Sequence, residues 1–169
     1  MRQPCAILIT LLGFAGTGCN PPNRALSGLT PPPPADDAER ITLHVPLNAA
    51  VKRDDKSGAE GVRVHFYFWT SRQRPPVLVP GSMRFLLFDG DVPPAQTADA
   101  RPLHVWALSH QELEQYVGRD HYGLWGYSLS LLWGRDRPTK GKVTLVGVYE
   151  SPDGRELPSV PTIIVLGPS

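Results

Sequence analysis

Residues 62–69 alternate between two kinds of side chain with a period of two, and this pattern constrains the fold more than any other feature of the chain. Apolar side chains occupy one set of positions: Val62, Val64, Phe66 and Phe68. Polar or amphipathic side chains occupy the other set: Arg63, His65, Tyr67 and Trp69. Because successive side chains of a strand point to opposite faces, this pattern predicts a half-buried β-strand.

Further short segments rich in β-forming residues also indicate strands. They are residues 41–47, 83–88, 103–108, 127–133, 143–149 and 162–166. The run Ser151-Pro152-Asp153-Gly154 has the composition of a tight turn and should reverse the chain after the strand that ends at Tyr149. Short strands separated by turns predict an all-β fold, an antiparallel two-sheet sandwich of about seven strands.

One helix is expected to interrupt the strands, at about residues 109–117. Ser109 and Glu112 have the spacing of a capping box, in which each residue satisfies a backbone N–H of the other. A helix of two turns cannot form a layer of its own. We therefore expect a crossover between the two sheets, with Leu113 and Val117 packed on the core.

The first 18 residues have the layout of an export signal. A basic residue, Arg2, precedes an apolar stretch that ends in small residues. The apolar stretch is shorter than the ~20 residues that a membrane-spanning helix requires. We therefore expect residues 1–18 to direct export and then to be removed.

The segment ends in Gly16-Thr17-Gly18-Cys19, which resembles the lipobox of bacterial lipoproteins. Gly16 departs from that pattern, since the family usually carries leucine there. The resemblance implies cleavage before Cys19, lipidation of its side chain with acyl chains such as palmitate, and a membrane anchor at the cell envelope. Asn20 is not the aspartate associated with inner-membrane retention, which favours the outer membrane.

Residues 19–39 form a proline-rich tether in this interpretation, and residues 40–169 form the domain. The run Pro31 to Pro34 favours an extended chain, which rises ~3.1 Å per residue and gives a reach of about 60 Å. This layout is similar to that of small bacterial lipoproteins whose domain is an immunoglobulin-like or carboxypeptidase-regulatory-like sandwich. Such folds host many functions, so no functional residue follows from the resemblance.

Composition narrows the possible partners. The chain has 17 basic and 16 acidic residues, and the loss of Arg2 leaves the mature chain neutral. This balance lacks the basic excess of a nucleic-acid-binding protein. Of the two cysteines, Cys5 lies in the export signal and Cys19 at its end, so no disulfide is expected in the domain.

Candidate chemical motifs in the domain are weak, and we predict no catalytic residue, no metal site and no cofactor. Asp89 and Asp91 could begin a calcium loop, but the residues after them supply no further acids. His44 and His65 fall on the outward sides of early strands and could be neighbours without a third ligand. Ser128 stands in a Gly-x-Ser-x-Ser run that lies in a predicted strand rather than at a nucleophile elbow.

The aromatic residues are the best candidates for binding. Tyr67 and Trp69 fall on the outward side of their strand, and Trp125 lies near the start of a later one. Exposed flat rings stack on sugars or anchor protein interfaces. Trp106 and Trp133 are expected in the core.

The sequence thus favours a non-enzymatic envelope lipoprotein whose domain binds another protein, through an aromatic patch or by strand addition at a sheet edge. The alternative is a carbohydrate-binding module, which requires Tyr67, Trp69 or Trp125 to form a coplanar platform. A third possibility, an enzyme, requires a polar pocket built from loops 89–102 and 118–126.

Overall fold

A computed structural model describes residues 30–52, 59–72 and 75–166 of the chain. Residues 1–18, expected to direct export, the expected lipidation site at Cys19 and the first part of the expected tether lie outside these residues. Within the described part, no helix is long and apolar enough to cross a bilayer.

The described residues form ten strands, one short α-helix and one 3₁₀ turn, Pro94–Gln96. In chain order the elements are β1 (Arg40–His44), β2 (Ala50–Val51), β3 (Gly61–Trp69), β4 (Ser82–Asp89), β5 (His104–Leu108), α1 (His110–Glu114), β6 (Val117–Arg119), β7 (Trp125–Leu132), β8 (Lys142–Glu150), β9 (Glu156–Pro158) and β10 (Thr162–Val165).

The strands form two antiparallel sheets, which confirms the predicted all-β sandwich. Sheet A has the order β1-β3-β7-β6, with β2 pairing the first residues of β3. Sheet B has the order β10-β8-β4-β5, with β9 pairing the last residues of β8. The strands beyond the predicted seven are β2, β6 and β9, which are two or three residues long and too short to show a sequence period.

Aromatic rings from both sheets meet in the centre of the core. Phe66 of β3 stacks on Tyr127 of β7 at 4.8 Å between ring centroids and meets Phe85 of β4 edge-on at 5.4 Å. Phe68 packs against Tyr149 of β8 at 4.9 Å. Such pairs add about 0.5–1.5 kcal/mol each beyond the burial of their surface. The inward face of β3 therefore holds the two sheets together.

The two tryptophans expected in the core are buried there. Trp133 is 1% exposed and donates its indole N–H to the carbonyl of Ala59 at 3.2 Å. Trp106 of β5 donates to the carbonyl of Leu132 in β7 at 3.0 Å, so its side chain links sheet B to sheet A. Both polar indole groups are thus satisfied despite burial, as buried tryptophans require.

The helix confirms the capping box and the crossover but is shorter than predicted. The Ser109 side chain accepts from the N–H of Glu112, whose carboxylate accepts from the N–H of Ser109. α1 carries the chain from β5 in sheet B to β6 in sheet A, with Leu113 buried. The helix ends at Glu114 because Val117 pairs with Tyr127 as a strand residue.

The predicted turn after Tyr149 is also confirmed. Residues 151–155 connect β8 to β9 as a hairpin, and the N–H of Gly154 bonds to the carbonyl of Ser151 at 2.9 Å. Gly154 has a φ of 84°, a left-handed conformation that glycine adopts without a steric penalty.

Residues 35–39, which the sequence assigns to the tether, pack on the sandwich. The N–H of Ala35 bonds to the carbonyl of Leu78 at 2.7 Å, and Ala38 is fully buried. Arg155 in the β8–β9 hairpin forms an ion pair with Asp37. The packed domain therefore begins at Ala35, five residues before the predicted boundary at Arg40.

A glycine in β7 creates the space for a large side chain on the outer face of sheet A. The Tyr67 ring lies over Gly126, where an added Cβ would come within 2.7 Å of the ring. Gly118, which pairs with Gly126 across the β6–β7 ladder, has nothing within 4 Å of the same position.

We therefore expect Gly126→Ala to destabilise the full chain by about 1–3 kcal/mol, as overpacking does, while Gly118→Ala has no comparable cost. Denaturant unfolding of the two variants measures this difference. Equal stability of Gly126→Ala and Gly118→Ala would show that the Tyr67 ring is not held against the backbone of β7.

Candidate interaction surfaces

Tyr67 lies on the outer face of sheet A, as predicted, but the expectation that it is exposed is wrong. It is 9% exposed, because its ring covers the backbone at Gly126 instead of standing in solvent. Its hydroxyl donates a hydrogen bond of 2.7 Å to the carboxylate of Asp120. Tyr67 thus ties β3 to the β6–β7 hairpin across the intervening strand.

Asp120 organises that hairpin. Its other carboxylate oxygen accepts the backbone N–H groups of Tyr122 and Leu124, each at 2.9 Å. Burial acts to raise the pKa of Asp120, but the hydrogen bonds from Tyr67, Leu124 and Tyr122 outweigh it and hold the pKa below its usual value. Burial and the bond to Asp120 raise the pKa of Tyr67.

Trp69 is partly exposed at the end of β3. The Arg40 guanidinium, on the neighbouring strand, lies 5.4 Å from the centre of the Trp69 ring. The indole N–H of Trp69 is buried and has no hydrogen-bond partner among the described residues. Part of the Trp69 ring is therefore exposed to solvent, and the Arg40 guanidinium forms a cation–π contact with it.

Trp125 is partly exposed but belongs to the other side of the sheet. It lies two residues before Tyr127, whose ring stacks on Phe66 in the core, so the two side chains share the inward side. The Arg119 guanidinium lies 5.7 Å from the centre of the Trp125 ring. Trp125 thus closes the end of the sandwich beside β6.

These three aromatic residues do not form a flat platform. The rings of Tyr67 and Trp69 are 6.4 Å apart and inclined by 49°, and Trp125 lies on the opposite side of sheet A. A sugar ring stacks on a flat aromatic face. The arrangement therefore lacks the coplanar surface on which the carbohydrate alternative depends.

The predicted proximity of two histidines is confirmed. His44 of β1 pairs with His65 of β3 in the sheet register, and their ring centroids are 6.3 Å apart. Burial lowers the pKa of His65 from its usual value, and the neighbouring His44 and Arg63 lower it further. In the described part of the chain, no three His, Cys, Asp or Glu side chains are grouped so that they could hold a metal ion.

The two remaining candidate motifs, at Asp89 and at Ser128, lie in hydrogen-bonded or paired parts of the fold. The Asp89 carboxylate accepts hydrogen bonds from Thr139 and from the backbone N–H of Lys140, so it joins the ends of two loops. Ser128 and Ser130 lie in strand β7, as predicted, with His65 and Arg63 opposite them in β3.

The outer face of sheet B carries an apolar surface that the sequence analysis did not identify. A second hydrophobic cluster lies there, outside the main core, and contains Phe88, Val146, Val148, Leu86, Val92 and Ala100. The loop after β4 covers part of it, since the N–H of Val92 bonds to the hydroxyl of Thr144 at 2.9 Å. The apolar run Phe85 to Phe88 of β4 and the largely apolar sequence of β8 are the sequence signal for a sheet whose two faces are both largely buried.

Beyond this loop, the apolar surface is open to solvent. Val105 of β5 is 46% exposed, and Ile163 and Val165 of β10 are 50% and 66% exposed. The register places all three on the outer side of sheet B. These residues account for half of the large hydrophobic side chains that are exposed in the described part of the chain.

Strand β10 is also an open edge of sheet B. It pairs with β8 on one side, and among the described residues no strand pairs with its other side. Its sequence, Thr-Ile-Ile-Val, contains no charged residue and is rich in β-branched side chains. Edge strands usually carry charges or bulges that discourage further pairing, and β10 lacks the charges.

A comparison of the chain with protein families, with curated proteins and with solved structures found no match.

The bond between Tyr67 and Asp120 should contribute to stability in a pH-dependent way. A carboxylate whose folded pKa is lowered stabilises the fold above its unfolded pKa of about 4, and this contribution is lost as the pH falls through the folded value. We expect Tyr67→Phe to cost about 1 kcal/mol at neutral pH and less at pH values below about 4.

Denaturant unfolding at several pH values measures this effect, with Tyr122→Phe as the matched control because Tyr122 is exposed. A cost for Tyr67→Phe that stays constant through the carboxyl range would mean that the bond to Asp120 contributes nothing.

Proposed function

We propose that this chain is an exported, lipid-anchored envelope protein without catalytic activity, whose sandwich binds another protein by strand addition at β10. The observation that supports this most directly is the open, uncharged edge of β10 beside an exposed apolar surface. An extended segment of a partner would bond to the free backbone groups of the edge.

The side chains of β10 suit such a partner. Ile163 and Val165 point to the outer side, while Ile164 is 5% exposed and belongs to the core. A partner strand would extend sheet B and place alternate apolar side chains against Ile163 and Val165. The strand is four residues long, and Pro161 precedes it, so a short partner segment is favoured.

The apolar surface favours this site over the aromatic residues. Tyr67 is held by Asp120, and Arg40 lies over the Trp69 ring, so these groups already have partners within the domain. Apolar surface exposed at Ile163 and Val165 gains free energy when it is removed from water, at about 25 cal/mol per Å².

The anchor in this proposal is Cys19, and the tether is shorter than the sequence suggested. With the domain packed from Ala35 onward, residues 20–34 remain as the spacer. An extended proline-rich spacer of that length reaches about 45 Å. The start of the packed domain at Ala35 would then be held within that distance of the membrane surface.

Lipidation at Cys19 is tested by replacing each cysteine in turn and separating cells into membrane and soluble fractions. We expect Cys19→Ser to leave the membrane fraction, because two or more acyl chains are needed for stable anchoring. Cys5→Ser is the control and should stay with the membrane. Retention of Cys19→Ser at the membrane would contradict the lipid anchor.

Strand addition at β10 is tested by placing a photoreactive amino acid at Val165 of the lipoprotein in intact cells and identifying the proteins attached to it. We expect one abundant partner, and an about tenfold loss of that product when Ile163→Lys puts a charge on the edge. A photoreactive group at Tyr122, an exposed residue of the β6–β7 hairpin, is the control.

Two outcomes of the photocrosslinking experiment would argue against β10 as the binding site. A partner captured equally from Val165 and Tyr122, or an Ile163→Lys variant that keeps the product, would overturn the assignment to β10. The circular dichroism of Ile163→Lys should match that of the native chain, because Ile163 is half exposed.

A further inference from the structure

Sheet A has an unusual charge composition. None of its five strands contains an acidic residue, whereas they contain the basic residues Arg40, Arg63 and Arg119 and two histidines, His44 and His65. The chain as a whole has nearly equal numbers of acidic and basic residues. The strands of sheet A therefore carry an excess of positive charge, which acidic residues in other parts of the chain balance.

Four of these groups form a line on the outer face, which we call the cationic line: Arg40, His44, His65 and Arg63. Arg40 of β1 lies opposite Trp69 at one end of the line. Arg63 lies at the other end, six residues before Trp69 in β3 and therefore about 20 Å from it along the strand. His44 and His65 lie opposite each other between these two arginines, and His65 is two residues, about 7 Å, from Arg63 along β3.

No carboxylate of the described residues forms an ion pair with the arginines of the cationic line. Among the described residues, the ion pairs of arginine are Arg84 with Glu156, Arg137 with Glu60, and Arg155 with Asp37. Arg40 and Arg63 are exposed and form none with the described acidic side chains. Within the described part of the chain, the Arg40 guanidinium contacts the Trp69 ring, and Arg63 has no carboxylate partner.

The side chains beside the cationic line are hydroxyls. Thr42 lies between Arg40 and His44 in β1, and Ser128 and Ser130 lie opposite His65 and Arg63 in β7. A protein interface is usually centred on apolar or aromatic anchors, whereas here the partly exposed ring of Trp69 lies at one end of the line, opposite Arg40. Hydroxyls and cations together suit a ligand that carries both hydroxyls and negative charges.

We propose that the cationic line is a binding site for an acidic polysaccharide. The carboxylates of the sugar chain would pair with Arg40 and Arg63 at the two ends and with the imidazoles in between. Its hydroxyls would bond to Thr42, Ser128 and Ser130. This site is independent of the β10 edge, since the two lie on the outer faces of different sheets.

The histidines make the site sensitive to pH. His65 faces His44 from β1, Arg63 on its own strand, and Asp120 and His121 from the β6–β7 hairpin; of these, Asp120 alone favours its protonated form. Burial, His44 and Arg63 lower the pKa of His65, and a bound carboxylate would raise it again. Binding should therefore take up protons and tighten as the pH falls through the imidazole range.

The test is isothermal titration of the full chain, in detergent micelles, with an oligogalacturonate at low salt. We expect about tenfold tighter binding at about pH 5.5 than at about pH 7.5, because a bound carboxylate favours the protonated form of His65. The ligand's carboxylates, with pKa values of about 3.5, stay ionised throughout. Titration in buffers of different ionisation enthalpy measures the proton uptake directly.

Two sets of variants locate the site. Arg63→Gln should weaken binding, whereas Arg101→Gln, an equal charge change at an exposed residue outside sheet A, should leave it unchanged. His44→Gln combined with His65→Gln should abolish the proton uptake while leaving the binding that depends on the arginines. All four residues are at least partly exposed, and circular dichroism checks that each variant folds.

Several results would overturn the proposal. These are no binding at the lower pH, equal weakening by Arg63→Gln and Arg101→Gln, or proton uptake that persists without both histidines. Binding of neutral dextran would show that charge is not recognised. Tighter binding of poly-glutamate than of oligogalacturonate would assign the cationic line to an acidic protein instead.

Discussion

The packing of Phe66 against rings from both sheets is the interaction on which the rest of the structure depends. Phe66 stacks on Tyr127 within sheet A and meets Phe85 of sheet B edge-on, while Phe68 beside it packs on Tyr149. These contacts fix which face of β3 is inward. Since side chains alternate along a strand, they also fix that Arg63 and His65 point outward.

The two outer faces differ because the central strands of the two sheets differ in sequence pattern. In β3 the alternation is complete, so sheet A presents Arg63 and His65 to solvent. In β8 the residues Val143 to Tyr149 are buried throughout, and the outer face of sheet B is apolar. One sandwich therefore offers a charged surface on one side and an apolar surface on the other, which suits ligands of different chemistry.

Much of the fold is predictable from local pattern, whereas the surfaces are not. The alternation of residues 62–69, the capping box at Ser109 and the turn at Gly154 each reflect interactions within a few residues. The burial of Tyr67 depends instead on Gly126, which the sheet register brings beside it from far along the chain. The open edge of β10 depends on the order of strands in sheet B, which no local pattern encodes.

The attachment of the tether determines whether the two surfaces can act together. Residues 35–39 approach the sandwich at its side, where Arg155 of the β8–β9 hairpin pairs with Asp37 and Glu39 bonds to the backbone of β3. None of these contacts involves the cationic line or β10. In the proposed arrangement, a lipid anchor on this side of the domain would leave the outer faces of both sheets accessible. A polysaccharide on sheet A and a protein strand on sheet B would thus be bound at once, without competing for the domain or for the tether.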